Sequence, residues 1–161
     1  MAVGSASWSV TEEDFGAITQ TLQKFLHETN ARCALLVDRS GQLVATVGEQ
    51  PSFDPTAFAS LTAADFSAND QLAKLIGEDD FSSLFPQGEK ESMYLADIAR
   101  RVILVALFDN RTTLGLVRLK IKDTVLELTK LFHEVFTRGK SAASQPGLLA
   151  GADDEIDQLF R

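Results

Sequence analysis

Residues 100–122, RRVILVALFDNRTTLGLVRLKIK, decide how the rest of the chain is read. Residues 101–108 form a run rich in Val, Ile and Leu, too short for a membrane span and bounded by charge. That is the pattern of a strand covered on both faces. Asp109-Asn110-Arg111-Thr112 is turn chemistry, because Asp and Asn bond their own backbone and tolerate left-handed conformations. Beyond the turn, Leu116, Val117, Leu119 and Ile121 interleave with Arg118, Lys120 and Lys122. The alternation predicts a second strand over 114–121, with its three cations on one face.

Working outward, residues 91–98 (ESMYLADI) alternate Met93 and Leu95 against Tyr94 and Ala96, so 91–98, 101–108 and 114–121 are expected to form an antiparallel meander. A helix over 123–138 follows, carrying Val125, Leu128, Leu131, Phe132, Val135 and Phe136. Upstream, Phe15, Ile18, Leu22, Phe25 and Leu26 are spaced for a helix over 11–28, capped by Ser9 or Thr11. RCALLV (32–37) and QLVATV (42–47) are strands joined at Asp38-Arg39-Ser40-Gly41, where Gly41 is free to take a positive φ. Pro55 after Asp54 starts another helix, which ends at Gly77. Its apolar stripe reads as Phe58, Leu61, Ala68, Leu72, Leu75 and Ile76, with a second line of mostly small residues at Ser60, Ala64, Ser67 and Gln71. The sum is an α+β layered domain, a five-stranded antiparallel sheet with helices on both faces, in the order α-β-β-α-β-β-β-α. Residues 1–10 are an N-terminal extension and 11–138 the domain. From Gly139 a linker composition runs over 139–152, and 153–161 is an acidic segment with Ile156, Leu159 and Phe160 at helical spacing.

Composition bounds the function classes. The 161 residues carry a net charge of −8, which argues against nucleic acid as a general partner. One cysteine, Cys33, excludes an intramolecular disulfide and fits a reducing compartment. There is no signal-peptide pattern and no run of about 20 apolar residues, so no membrane insertion and a cytoplasmic location are expected. No phosphate loop, nucleophile elbow or paired-cysteine motif occurs, and no catalytic residue, cofactor or metal is expected. His27 and His133 lie far apart on amphipathic helices and read as solvated or rim residues. Arg111, in a loop, reads as a turn residue or as a finger to a nucleotide phosphate.

Two segments read as contact surfaces or as solvated ones. On the second helix the small line, with Phe66 as an aromatic anchor, lets another backbone approach closely, or is a bare solvent face. The terminal Ile156, Leu159 and Phe160 fit a short helix docking into a groove, or belong to an idle tail.

ALLVDRSGQLVATVG, SLTA with LAKLIGE, and FDNRTTLGLVRLKIK together resemble the Roadblock/dynein-light-chain family, whose fold is profilin-like, and within it the MglB-type bacterial GTPase regulators. The resemblance covers about 10–138, and DDEIDQLF resembles the C-terminal segment of that branch. It implies a homodimer that pairs edge strands and second helices, and a platform that binds a Ras-like small GTPase of the MglA type. It further implies activation of hydrolysis without an arginine finger, by repositioning the GTPase's own residues, with cell polarity and gliding motility as the process and a cell pole as the place. A scaffold that binds without stimulating hydrolysis is the alternative. The expected contact residues are Ala64, Phe66, Ser67, Ala68, Gln71 and Lys74 on the second helix, and the cations Arg118, Lys120, Lys122 and Lys130 as electrostatic steering. Ile156, Leu159 and Phe160 are expected to reach the partner at a second site.

Overall fold

A computed structural model describes residues 10–78 and 83–143, the last five by backbone alone. The elements are α1 (Glu12–Thr29), β1 (Cys33–Asp38), β2 (Leu43–Gly48), α2 (Pro55–Leu75), β3 (Ser83–Leu84), β4 (Ser92–Ile98), β5 (Val102–Phe108) and α3 (Leu114–Ala143). The sheet is antiparallel with strand order β2-β1-β5-β4-β3. Every residue of β5 is buried, as a central strand with helices on both faces requires.

Local chemistry sets the helix ends. The Asp14 amide donates to Thr11 Oγ1 at 3.1 Å and the Thr11 amide donates to Asp14 Oδ2 at 3.4 Å, a reciprocal cap that starts α1. Asp54 accepts from the Thr56 amide at 3.0 Å, with Pro55 in the first turn of α2. Gly48 leaves β2 at φ +96, where a Cβ would lie 2.5 Å from the Arg32 carbonyl oxygen. The chain can pass there only as glycine.

Alternation sorts the strand residues into two cores. Ala34, Leu36, Ile98, Val102, Leu104 and Ala106 face Ile18, Leu22 and Phe25 of α1 and Val117, Ile121, Leu128 and Phe132 of α3. Leu35, Val37, Leu95, Ile103, Val105 and Leu107 form the opposite face, which α2 covers with Ala59 and Phe66.

Three sequence readings change. Residues 114–121 are not a strand but the first turns of one continuous α3. Val117, Ile121, Thr124, Leu128, Phe132 and Val135, three or four residues apart, are all buried, and this helical period wins over the short alternation. Thr113 opens the helix by accepting from the Leu116 amide at 3.2 Å. The fifth strand is instead β3, two residues that pair with Leu95 and Ala96 of β4.

The cations consequently part company. Arg118 and Lys122 are one turn apart on one flank of α3, while Lys120 points to the other and meets Glu28 at 3.7 Å.

Apart from Phe58, which packs against the core, the apolar stripe of α2 is also turned round. Ala59, Thr62, Ala63, Phe66 and Ala73 are the buried positions, and Leu61, Leu72, Leu75 and Ile76 face outward. The sheet beneath already presents Leu35, Val37, Ile103 and Val105, so a helix meeting it closely needs small residues at most contacts.

Candidate functional site

The outer face of α2 is the candidate. Leu61, Leu72, Leu75 and Ile76 are 71%, 54%, 82% and 69% exposed and follow one another along the helix. Ala64, Ser67, Ala68, Gln71 and Lys74 are exposed among them. Phe66, expected as an outward anchor, is instead 1% exposed and packs under the helix. Four large aliphatic side chains left in water on one helix mark a surface suited to covering by protein.

A polar clamp fixes this helix against the sheet. Arg39, in the β1–β2 turn, donates from Nη2 to Asp97 Oδ1 of β4 at 2.6 Å and from Nε to the same oxygen at 3.2 Å. Its Nη1 donates to Asp70 of α2, and the guanidinium lies 5.3 Å from the centre of the Phe66 ring. Burial works against the charge of Arg39, but the hydrogen bonds to Asp97 and Asp70 outweigh it and raise its pKa. Asp70 Oδ1 is buried without a partner. Asp97 also accepts from the Arg100 amide at 3.0 Å and so ties the β4–β5 turn into the clamp. Ala99 and Arg100 in that turn both have left-handed φ, 54 and 60.

Arg111 sits in the β5–α3 turn. Its Nε donates to Asp109 Oδ1 at 3.0 Å and its Nη1 to Glu49 Oε1 at 3.0 Å, while Arg32 Nε holds the other Glu49 oxygen at 2.8 Å. The guanidinium is therefore engaged on this chain. Cys33 is buried, and burial pushes its thiol up to about 11. His27 and His133 are both exposed. Among the described residues no cluster of three or more His, Cys, Asp or Glu could hold a metal, and no helix is long and apolar enough to cross a membrane.

The expected contact residues do not form one surface. α2 covers one face of the sheet, and α3, with Arg118, Lys122 and Lys130, covers the other. Ile156, Leu159 and Phe160 lie outside the described residues. The aliphatic face of α2 was missed as a surface because its leucines match a core stripe equally well. The competing alanine line of Ala59, Ala63 and Ala73 was the signal available.

The Roadblock/LC7 domain family model matches residues 17–108, from within α1 to the end of β5. The chain belongs to the Roadblock/LC7 domain family. Among solved structures this Roadblock domain is similar to Myxococcus xanthus MglB at 45% identity, with a TM-score of 0.72 over 74% of this chain and 98% of that one. It is similar to the gliding protein MglB of Thermus thermophilus at 31% identity, with a TM-score of 0.76 over 81% and 98%. A further MglB structure, described as having a tetrameric arrangement, matches at 30% identity and a TM-score of 0.76, again over 81% and 98%. No curated protein matches the sequence. The matched span contains α2 and the Arg39–Asp70–Asp97 clamp, whereas α3 and its cations lie beyond it.

Proposed function

We propose that this Roadblock domain is a regulator of a small Ras-like GTPase of the MglA type and works as a homodimer. The observation that carries the reading is the aliphatic face of α2, up to 82% exposed at Leu75, on a chain 45% identical to an MglB. In the homodimer two α2 helices lie side by side and the β3 edges meet, so the two domains offer one platform. Unpaired strand edges are usually covered in this way. The GTPase then presses its switch regions on the exposed small and polar residues of α2, Ala64, Ser67, Ala68 and Gln71, with Lys74 at the margin. The pairing of Arg111 with Asp109 and Glu49 supports a reading in which the domain supplies no arginine finger. Stimulation comes from holding the GTPase's own catalytic groups in position, which lowers a barrier by orientation and electrostatics without a new group. The C-terminal Ile156, Leu159 and Phe160 add a second contact by tethering. The setting is the cytoplasm, with cell polarity and gliding motility as the process.

The discriminating experiment is phosphate release from an MglA-type GTPase with and without the domain. The domain alone is expected to release none and to raise the rate of the GTPase. The exposed carboxylate of Asp65 and the amide of Asn69 make this half of α2 bulkier and more polar, which favours a second reading, a scaffold that binds without stimulating. Binding at unchanged hydrolysis would select that reading. Ser67→Arg in a folded protein should abolish binding, and unaltered binding would remove α2 from the interface.

A further inference from the structure

On the face of the sheet opposite α2, a groove of about 370 Å³ runs between α3 and the β3–β4 edge. Tyr94, Ala96, Ile121, Val125 and Leu126 line most of it, and Leu126 is 62% exposed. Lys122 stands on its rim, and Arg118 is one helical turn away on the same flank. Neither cation has an ion pair among the described residues. The only carboxylate among the described lining residues, Asp97, is already engaged by Arg39 and the Arg100 amide. The groove is thus apolar inside and cationic at one edge.

We infer that this groove holds the chain's own C-terminal segment, with Ile156, Leu159 and Phe160 in the apolar trough and the adjacent carboxylates beside Arg118 and Lys122. Charge supports the match: Asp153, Asp154, Glu155 and Asp157 flank the three apolar residues, opposite in sign to the rim. Length supports it as well. Helix α3 is described to Ala143, and from there back to Val125 is 18 residues of helix, about 27 Å at 1.5 Å per residue. Residues 144–155 can span up to about 40 Å at roughly 3.3 Å per residue, so the segment can turn back along α3 of its own protomer. Side chains three and four apart on one face of a short helix are what an apolar trough accepts. Docking of this kind needs no GTPase, and a segment docked on its own domain is withheld from any other partner until it is displaced.

The test uses the full chain with Leu126→Cys and Leu159→Cys, oxidised mildly at micromolar concentration. The native Cys33 is buried, with its thiol raised to about 11, and stays out of the exchange. The expected product is a disulfide within one chain, formed at least ten times faster than in a Gln20→Cys/Leu159→Cys control, whose first cysteine is exposed on α1, outside the groove and away from α2. Lys122→Glu with Arg118→Glu should slow the bond several-fold at low salt and less at high salt. A disulfide between two chains would assign the groove to another copy's segment and overturn the inference. Equal rates at positions 126 and 20 would overturn it too, because they would show an undocked segment. Neither result bears on GTPase stimulation by α2.

Discussion

Replacing Leu72 and Leu75 together by serine separates the assembly role of α2 from its folding role. The two side chains are 54% and 82% exposed in the protomer. Burying a leucine fully is worth about 2 kcal/mol, so covering what remains open yields roughly 1 kcal/mol at Leu72 and roughly 1.6 at Leu75. A two-fold interface uses each position twice, which brings the sum to about 5 kcal/mol. That sum is an upper bound, since association also orders side chains and covers them incompletely. Half of it, at 1.4 kcal/mol per decade, is about a hundredfold in the dissociation constant. Sedimentation equilibrium over a concentration series should therefore show a homodimer dissociation constant raised about 10²-fold. Urea unfolding of the dilute protein should fall by only about 1–1.5 kcal/mol, the share of the two side chains already covered within the protomer, because neither belongs to the protomer core. An unchanged dissociation constant would refute the assignment of this face to self-association. A loss of several kcal/mol in the dilute protein would show that the stripe holds the fold instead.

Arg39→Ala leaves two carboxylates facing each other beside α2. Breaking a fully buried pair costs about 3–5 kcal/mol, and with side chains here 11–23% exposed a loss of about 2–3 kcal/mol in urea unfolding is expected. Asp70→Asn should cost less than about 1 kcal/mol, since Asp97 still neutralises the guanidinium; equal losses for the two variants would refute the clamp. Gly48→Ala forces a Cβ against the Arg32 carbonyl at φ +96 and should destabilise by at least about 2 kcal/mol, read from the thermal midpoint. Ala99→Gly, at φ 54, should stabilise by roughly 0.5–1 kcal/mol by relieving a left-handed alanine, and no gain would argue against that turn geometry.

Helix α1, the β1–β2 hairpin and the central strand β5 were legible in the sequence because each is set within a window of a few residues. A capping Thr11, a period of 3.6, a glycine at a positive φ and a continuous apolar run each have one low-energy reading. Residues 114–121 lacked that uniqueness. Eight residues fit alternation and helical spacing equally, and the choice fell to the packing of Val117 and Ile121 against the sheet and α1, in register with Leu128 and Phe132 further on. The same holds for α2. Both of its stripes are apolar, and the bulk of Leu35, Val37, Ile103 and Val105 beneath it selected the one with alanines. Strand β3, only two residues long, has no pattern of its own and exists because β4 offers it an edge at Leu95 and Ala96. Arg39, Asp70 and Asp97 come from a turn, a helix and a strand, so no local window holds all three. Local sequence fixes conformations whose energies differ locally; where two are nearly degenerate, contacts between residues far apart in the chain supply the difference.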